Sequence, residues 1–253
     1  MILNGKPTKL MPEITKNELK HIRLLRQKKY RQQFGEFVVE GEKNVDELIN
    51  SALEIKQLFA TQDWDSINYE GEITTSSNKQ LAQLSNLSTP NKVVALAKIP
   101  NFELDNNCFK EGLTLALDEI NDPGNLGTII RSADWFGVKN ILCSINSVDC
   151  FNPKVVQSTK GSIANVKVHY VNLNETLSQA DVPIYGADME GTKVGKEFSF
   201  ESPAVLLMGS ESHGISDELG KLLTKKITIP RTGKAESLNV AIATSILLHH
   251  FNS

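Results

Sequence analysis

Apolar positions along this chain come in short runs, set apart by polar stretches in which hydrophobic residues recur every three or four places. After a lead-in over residues 1–14, Leu19, Ile22 and Leu25 share one helical face, and Thr15 with Glu18 three residues on forms a capping box. A helix is therefore predicted from Thr15 to about Gln33, with Lys20, Arg23, Lys28 and Arg31 elsewhere on its surface. Phe37-Val38-Val39 reads as a strand ended by Glu40-Gly41, and Val45, Leu48 and Ile49 as a helix. Ile55 to Ala60 reads as a strand, the region of Ile73 as a weaker one, Leu81 and Leu84 as a short helix, and Lys92 to Ile99 as a clear strand. The first hundred residues thus alternate strand and helix around a core of their own. The polar, aperiodic stretch over 101–111 is the natural linker.

From 112 to 253 the alternation resumes. Strands are predicted at 113–118, 140–144, 166–171, 183–187, 203–208 and 226–229, and helices at 126–136, 153–160, 173–180, 216–223 and 238–250. Short apolar strands separated by helices imply an α/β fold with a parallel sheet covered on both faces. Such sheets hold ligands beyond the carboxyl ends of their strands, so the loops after those strands are the places to search.

Composition narrows the class. The 253 residues are 40% hydrophobic and 23% charged, which is globular and excludes a disordered or low-complexity chain. A net charge of −3 argues mildly against nucleic-acid binding, but it hides an uneven spread. Residues 1–100 are net +2 and residues 101–253 net −5, and Lys16 to Arg31 holds seven Lys or Arg against the single acid Glu18. The three cysteines, Cys108, Cys143 and Cys150, have neither CxxC pairing nor metal spacing, which fits a reducing compartment and predicts no metal. No apolar run approaches the roughly 18 residues of a membrane span, and the start lacks the apolar segment of a signal peptide. A cytoplasmic protein with no membrane partner is expected.

Three loops, each following a predicted strand, carry chemistry. The first, Asp118 to Thr128, contains Pro123, Gly124 and Asn125 and leads into a helix with Arg131 about one and a half turns on. By chemistry alone it reads better as a capped turn with a surface arginine than as a site. In the second, Gly209 to Ser216, the glycines permit close backbone approach, Glu211 is the acid, and Ser216 is placed to cap the next helix. The third, Ile229 to Val240, offers Ser237 as a helix cap and sets Asn239 in the first turn, where Asn is unexpected. His213 has no metal-spaced partner. There is no GxGxxG, and Gly191 to Glu197 imitates a phosphate loop with one residue too few.

Together, in this order and spacing, NLGTIIRSADWFGV (125–138), LMGSESHGIS (207–216) and IPRTGKAESLNVAIATSI (229–246) resemble the three motifs of the SpoU/TrmH family of RNA ribose 2′-O-methyltransferases, in the SPOUT superfamily. Lys28-Lys29-Tyr30-Arg31 followed by FVVEGEKNVDEL (37–48) resembles that family's substrate-binding domain, which has an L30e-like fold. The resemblance implies a smaller amino-terminal L30e-like α/β domain over 1–100 and a parallel-sheet SPOUT domain with a trefoil knot over 112–253. It also implies a homodimer, S-adenosylmethionine as methyl donor and RNA as partner, ribosomal RNA before transfer RNA and the large subunit favoured. By matching motif positions, Asn125, Arg131, Glu211, Ser237 and Asn239 are the expected catalytic residues, and Gly209, Ile229 and Leu238 the cofactor-binding ones. Lys20, Arg23, Lys28, Lys29 and Arg31 would contact phosphates. Arg231, where many relatives carry Met, and the Ser212-His213 pair depart from the pattern.

Since an arginine is effectively always protonated, Arg131 is expected to stabilise a developing alkoxide and clamp a phosphate. Glu211 is expected to orient Arg131 or a partner, and Ser237 and Asn239 to fix the ribose and the loops. The alternatives are a transfer-RNA 2′-O-methyltransferase, a non-catalytic RNA-binding assembly factor that keeps the fold, and, from the residues without the resemblance, an α/β enzyme acting on a small nucleotide.

Overall fold

A computed structural model describes residues 14–64, 69–85, 91–195 and 197–252; the lead-in up to residue 13 lies outside the described residues. The chain forms two compact units, one ending at Pro100 and the other beginning at Asn101.

In the first unit, α1 (Lys16–Leu24) starts on the expected box: Thr15 Oγ1 accepts from Glu18 N, and Glu18 Oε2 accepts from Thr15 N at 2.7 Å. The predicted single helix is in fact two. It breaks after Leu24, and α2 (Lys28–Phe34) follows, ended by Gly35 in the left-handed region at φ 65°. Arg31 explains why the break is tolerated. Instead of lying on the surface it is 2% exposed, and its Nη1 donates to the carbonyls of Leu25 (2.8 Å) and Arg26 (3.0 Å). It thereby satisfies acceptors that an unbroken helix would have bonded internally. The break also turns Leu25, 1% exposed, into the core beside Ile22, Leu81 and Leu84.

The chain continues as β1 (Glu36–Glu40), α3 (Glu42–Ile49), β2 (Ile55–Ala60), β3 (Ile73–Thr75), α4 (Asn78–Leu84) and β4 (Val93–Lys98). The sheet order is β1-β4-β2-β3. The central β4 runs antiparallel to β1 (Val38 opposite Leu96) and to β2 (Phe59 opposite Val94), while β3 lies parallel to β2. Val93 to Ala97 is buried on both faces, which is why that run reads as unbroken apolar.

The second unit runs β5 (Leu113–Leu117), α5 (Pro123–Trp135), β6 (Asn140–Ser144), α6 (Pro153–Thr159), β7 (Lys167–Val171), α7 (Leu173–Leu177), β8 (Ile184–Lys193), β9 (Ala204–Met208), α8 (Asp217–Gly220), β10 (Lys225–Thr228) and α9 (Val240–Phe251). Its six strands are all parallel, in the order β10-β8-β9-β5-β6-β7. Residues 101–111, read as a linker, lie within this unit. A 3-10 turn at Asn106–Phe109 places Phe109, 6% exposed, in the core with Leu142 and Val205, and Thr114 Oγ1 donates to the Cys108 carbonyl. Gly127 of α5 sits so close to α6 that a Cβ there would meet Ser158 Cβ at 2.4 Å and the Val155 carbonyl at 2.7 Å.

This order positions the site. From β5 the chain moves one way through β6 to β7, then crosses to lay β8, β9 and β10 on the other side. The order reverses between β5 and β9, and the crevice beyond the carboxyl ends at such a switch point is where parallel sheets bind ligands. The first and second loops open on that crevice.

Candidate active site

The first loop is shaped by its helix start. Asp122 caps α5 by accepting from Asn125 N at 2.8 Å, with Pro123 at the position where a missing N–H costs nothing. With the cap supplied by Asp122, the Asn125 amide side chain is available for other bonds. The second loop is closed on itself. Ser210 and Gly214 exchange both backbone hydrogen bonds at 3.0 Å, and Gly214 has φ 68°. A Cβ on Gly209 would lie 2.1 Å from the Gly214 carbonyl carbon, so only glycine fits there. The buried Asp118 carboxylate accepts from Ser216 N at 3.0 Å, fastening the second loop to the end of β5. Ser216 stands at the cap position of α8 but makes no side-chain cap bond.

The third loop departs from expectation at its end. The cap of α9 is Asn239, not Ser237: Asn239 Oδ1 accepts from Ala241 N (3.0 Å) and Ile242 N (3.3 Å). A helix beginning at Val240 leaves Asn239 just outside it, which removes the oddity of an Asn in the first turn.

These three loops meet through side chains. Asn125 Nδ2 donates to Glu211 Oε1 at 2.5 Å, and Asn239 Nδ2 donates to Asn125 Oδ1 at 2.9 Å and to Glu211 Oε1 at 3.2 Å. Residues 86 and 114 positions apart are thus joined in one exposed polar cluster. Glu211 orients the two amides and makes no bond to Arg131. Arg131 lies exposed on α5, with no ion-pair or hydrogen-bond partner among the described residues.

Beside the cluster lies a cavity of about 450 Å³ walled by the second and third loops and by β8. Gly209, Glu211, Ile229, Ser237 and Leu238 all line it; Asn125, Arg131 and Asn239 do not. Met189, Met208 and Leu247 give it apolar walls. A mostly apolar cleft of this size with a few polar groups at its edge has the character of a nucleoside-sized binding site. Sequence reasoning missed Asp188, which also lines the cavity, because the strand predicted to end at 187 runs on to Lys193. The Lys226 ammonium, 2.8 Å away, and the Glu190 backbone N–H hold the Asp188 carboxyl below its ordinary value.

Burial pushes the Cys143 thiol up to about 12 and raises that of Cys150 as well, so neither is a thiolate nucleophile. Among the described residues no group of three or more His, Cys, Asp or Glu is placed to hold a metal, and no helix is long and apolar enough to cross a membrane.

In the first unit, Lys20, Lys28 and Lys29 are exposed. Arg23 is exposed too, although it already donates to the carbonyl and side chain of Gln83. Arg31, being buried, cannot offer its guanidinium to a phosphate.

The family model described as the SpoU rRNA methylase family matches residues 112–249, and that described as an MRM3-like substrate binding domain matches residues 16–95. The chain is similar to the 23S rRNA (guanosine(2553)-2′-O)-methyltransferase RlmP of Bacillus subtilis, 29% identical over 94% of this chain and 97% of that one. Its fold matches the SpoU methyltransferase AviRb of Streptomyces viridochromogenes, solved in complex with AdoMet, at a TM-score of 0.83 and 26% identity over 94% and 97% of the two chains. An AdoMet-bound rRNA methyltransferase from Sinorhizobium meliloti matches at a TM-score of 0.81 and 29% identity over 95% and 96%.

Proposed function

The chain belongs to the SpoU rRNA methylase family, and from that premise we propose that it methylates a ribose 2′-hydroxyl of ribosomal RNA, in the large subunit, in the cytoplasm. The observation that carries this reading is the Asn125–Glu211–Asn239 cluster, which ties all three motif loops together at the mouth of the cavity.

S-adenosylmethionine supplies the methyl group. The residues present fit it: apolar walls from Met189, Ile229 and Leu238 suit an adenine and an alkyl chain, and Glu211, Ser237 and Asp188 offer polar groups at the rim. The cluster's work is positioning. Each amide is held in one orientation by bonds at both ends, so the loops around the cavity are set before substrate arrives, and alignment of the reacting atoms can provide much of the acceleration. Arg131, exposed and without a partner among the described residues, is placed to meet the RNA. Its guanidinium stabilises negative charge on the 2′-oxygen as the proton leaves to phosphate or water, and grips the adjacent phosphate. Ser237 sits at the rim to bond the ribose.

The proposal includes a homodimer. On α5, Trp135 is 84% exposed one helical turn beyond Arg131, and Ile242 of α9 is 52% exposed; α5 and α9 are joined by a Ser132–Ser245 hydrogen bond of 2.7 Å. A second copy seated on this apolar face places Arg131 beside the interface. The proposal also includes the trefoil knot. In support, the pairing of β10 with β8 jumps from Lys226–Gly186 to Ile227–Thr192, and a Cβ on Gly191 would meet the Ile227 backbone at 2.5 Å, as closely crossed segments require.

The test is transfer of label from methyl-labelled S-adenosylmethionine to purified ribosomal and transfer RNA. Label in ribosomal RNA alone is the expected result. Label in transfer RNA alone would replace the substrate, and donor binding lost altogether would favour a non-catalytic RNA-binding protein.

A further inference from the structure

The first unit carries an aromatic surface that the chemistry above does not use. Tyr30 and Phe34 stand four residues apart on α2, so they share one face, with ring planes 11° apart and centroids 6.2 Å apart. His21 of α1 meets Phe34 edge-on at 4.7 Å, and Lys29 Nζ lies 4.7 Å from the centre of the Tyr30 ring. The break between α1 and α2 brings His21 and Phe34 together. Phe34 is 39% exposed, whereas Phe37 and Phe59 of the same unit are wholly buried. An exposed ring held in place by two neighbours is a flat, preorganised surface.

Its charge says what it fits. Lys20, Lys28 and Lys29 are exposed on the same two helices, with no carboxylate partner among the described residues. The acid packed against this face, Glu36, is buried and already engaged by Lys56 and His21. Glu18 is tied to Thr15 and Gln57. A flat aromatic surface inside a net positive field matches an unpaired base with its flanking phosphates, since every base has a π-face and stacks without regard to sequence.

We propose that Phe34, backed by Tyr30 and His21, is a stacking platform for an unpaired base of the RNA substrate, with Lys28 and Lys29 on the neighbouring phosphates. The inference rests on RNA being the substrate and adds which feature of it the first unit reads.

The test uses the full chain and two fluorescent probes of about 12 nucleotides, a length suited to single-strand sites: oligoadenylate, and an abasic ribose-phosphate oligomer of the same length. The native protein should bind oligoadenylate about tenfold more tightly than the abasic oligomer, the scale of a single stacked base. Phe34→Ala should abolish that preference, Phe34→Trp should keep it, and Lys28→Gln with Lys29→Gln should weaken both probes alike and flatten the salt dependence. An unchanged preference in Phe34→Ala overturns the proposal. So does a fall in solution mass in that variant, which would assign the face to a second copy of the chain. A base preference that tracks Phe34 while ribosomal RNA takes up no label would support the platform and overturn the proposed reaction, so the two fail separately.

Discussion

Asn239 joins the fold of this molecule to its chemistry in one side chain. Its oxygen caps α9 and its amide nitrogen ties the first and second loops, so its removal has two separable costs. Loss of the cap in Asn239→Ala should lower stability by about 1 kcal/mol, read from denaturant unfolding. Loss of the loop tie should fall on kcat/KM and be shared with Glu211. A double-mutant cycle of Glu211→Ala and Asn239→Ala should give a coupling of about 0.5–3 kcal/mol, and strict additivity would mean the cluster does not act as a unit. Arg131→Ala should lower kcat by about 10²–10³ while leaving the calorimetric affinity for S-adenosylmethionine unchanged. The residues of this cluster were legible as motif members, but not their contacts. Glu211 was expected to orient Arg131 or a partner, and only the meeting of loops 86 and 114 residues apart shows that it holds two asparagines.

Elements were the most legible scale, because strand and helix periods are local. Every strand predicted in the second unit is present within a residue or two, except that β8 runs six residues past its predicted end. The clear failure is the long basic helix. Periodicity carried it smoothly through Leu25, and nothing local shows that Arg31 turns inward to bond the carbonyls at the break. That bond makes Arg31 a stability residue. Arg31→Ala should cost about 2–4 kcal/mol by urea unfolding, since it leaves two acceptors without their donor; a loss of RNA affinity with unchanged stability would contradict this. Glu36 of β1, engaged by His21 of α1 and Lys56 of β2, sets a pH dependence. Burial pushes the Glu36 carboxyl up, but Lys56 and His21 outweigh it and hold the group below its ordinary value. A carboxyl depressed in the folded state adds stability above its unfolded pKa and loses that stability as pH falls through its folded one. The stability difference between the native chain and Glu36→Gln should therefore be full at pH 6 and shrink steadily below about pH 4.5.

At the scale of the whole molecule, the sequence showed an α/β chain with a polar stretch near residue 100, and little about how its parts meet. Strand order is non-local: nothing in the run at 204–208 says that it pairs with 113–117, yet that neighbourhood creates the switch point at which the first and second loops meet through Asn125 and Glu211. The exposed Trp135 was equally silent, since periodicity places it on α5 without saying that it is left uncovered. If a second copy covers it, the native protein should sediment at twice the 28.0 kDa chain mass and Trp135→Glu at the chain mass, with methyl transfer lost in step. A native monomer with full activity would remove the dimer from the account. The most direct test of the central claim is nucleoside mass spectrometry of ribosomal RNA after reaction with the native protein and S-adenosylmethionine. One nucleoside carrying the new methyl on its ribose 2′-oxygen is the predicted result. A methyl on a base instead, or no methylated product from a protein that binds the donor and the RNA, would contradict it.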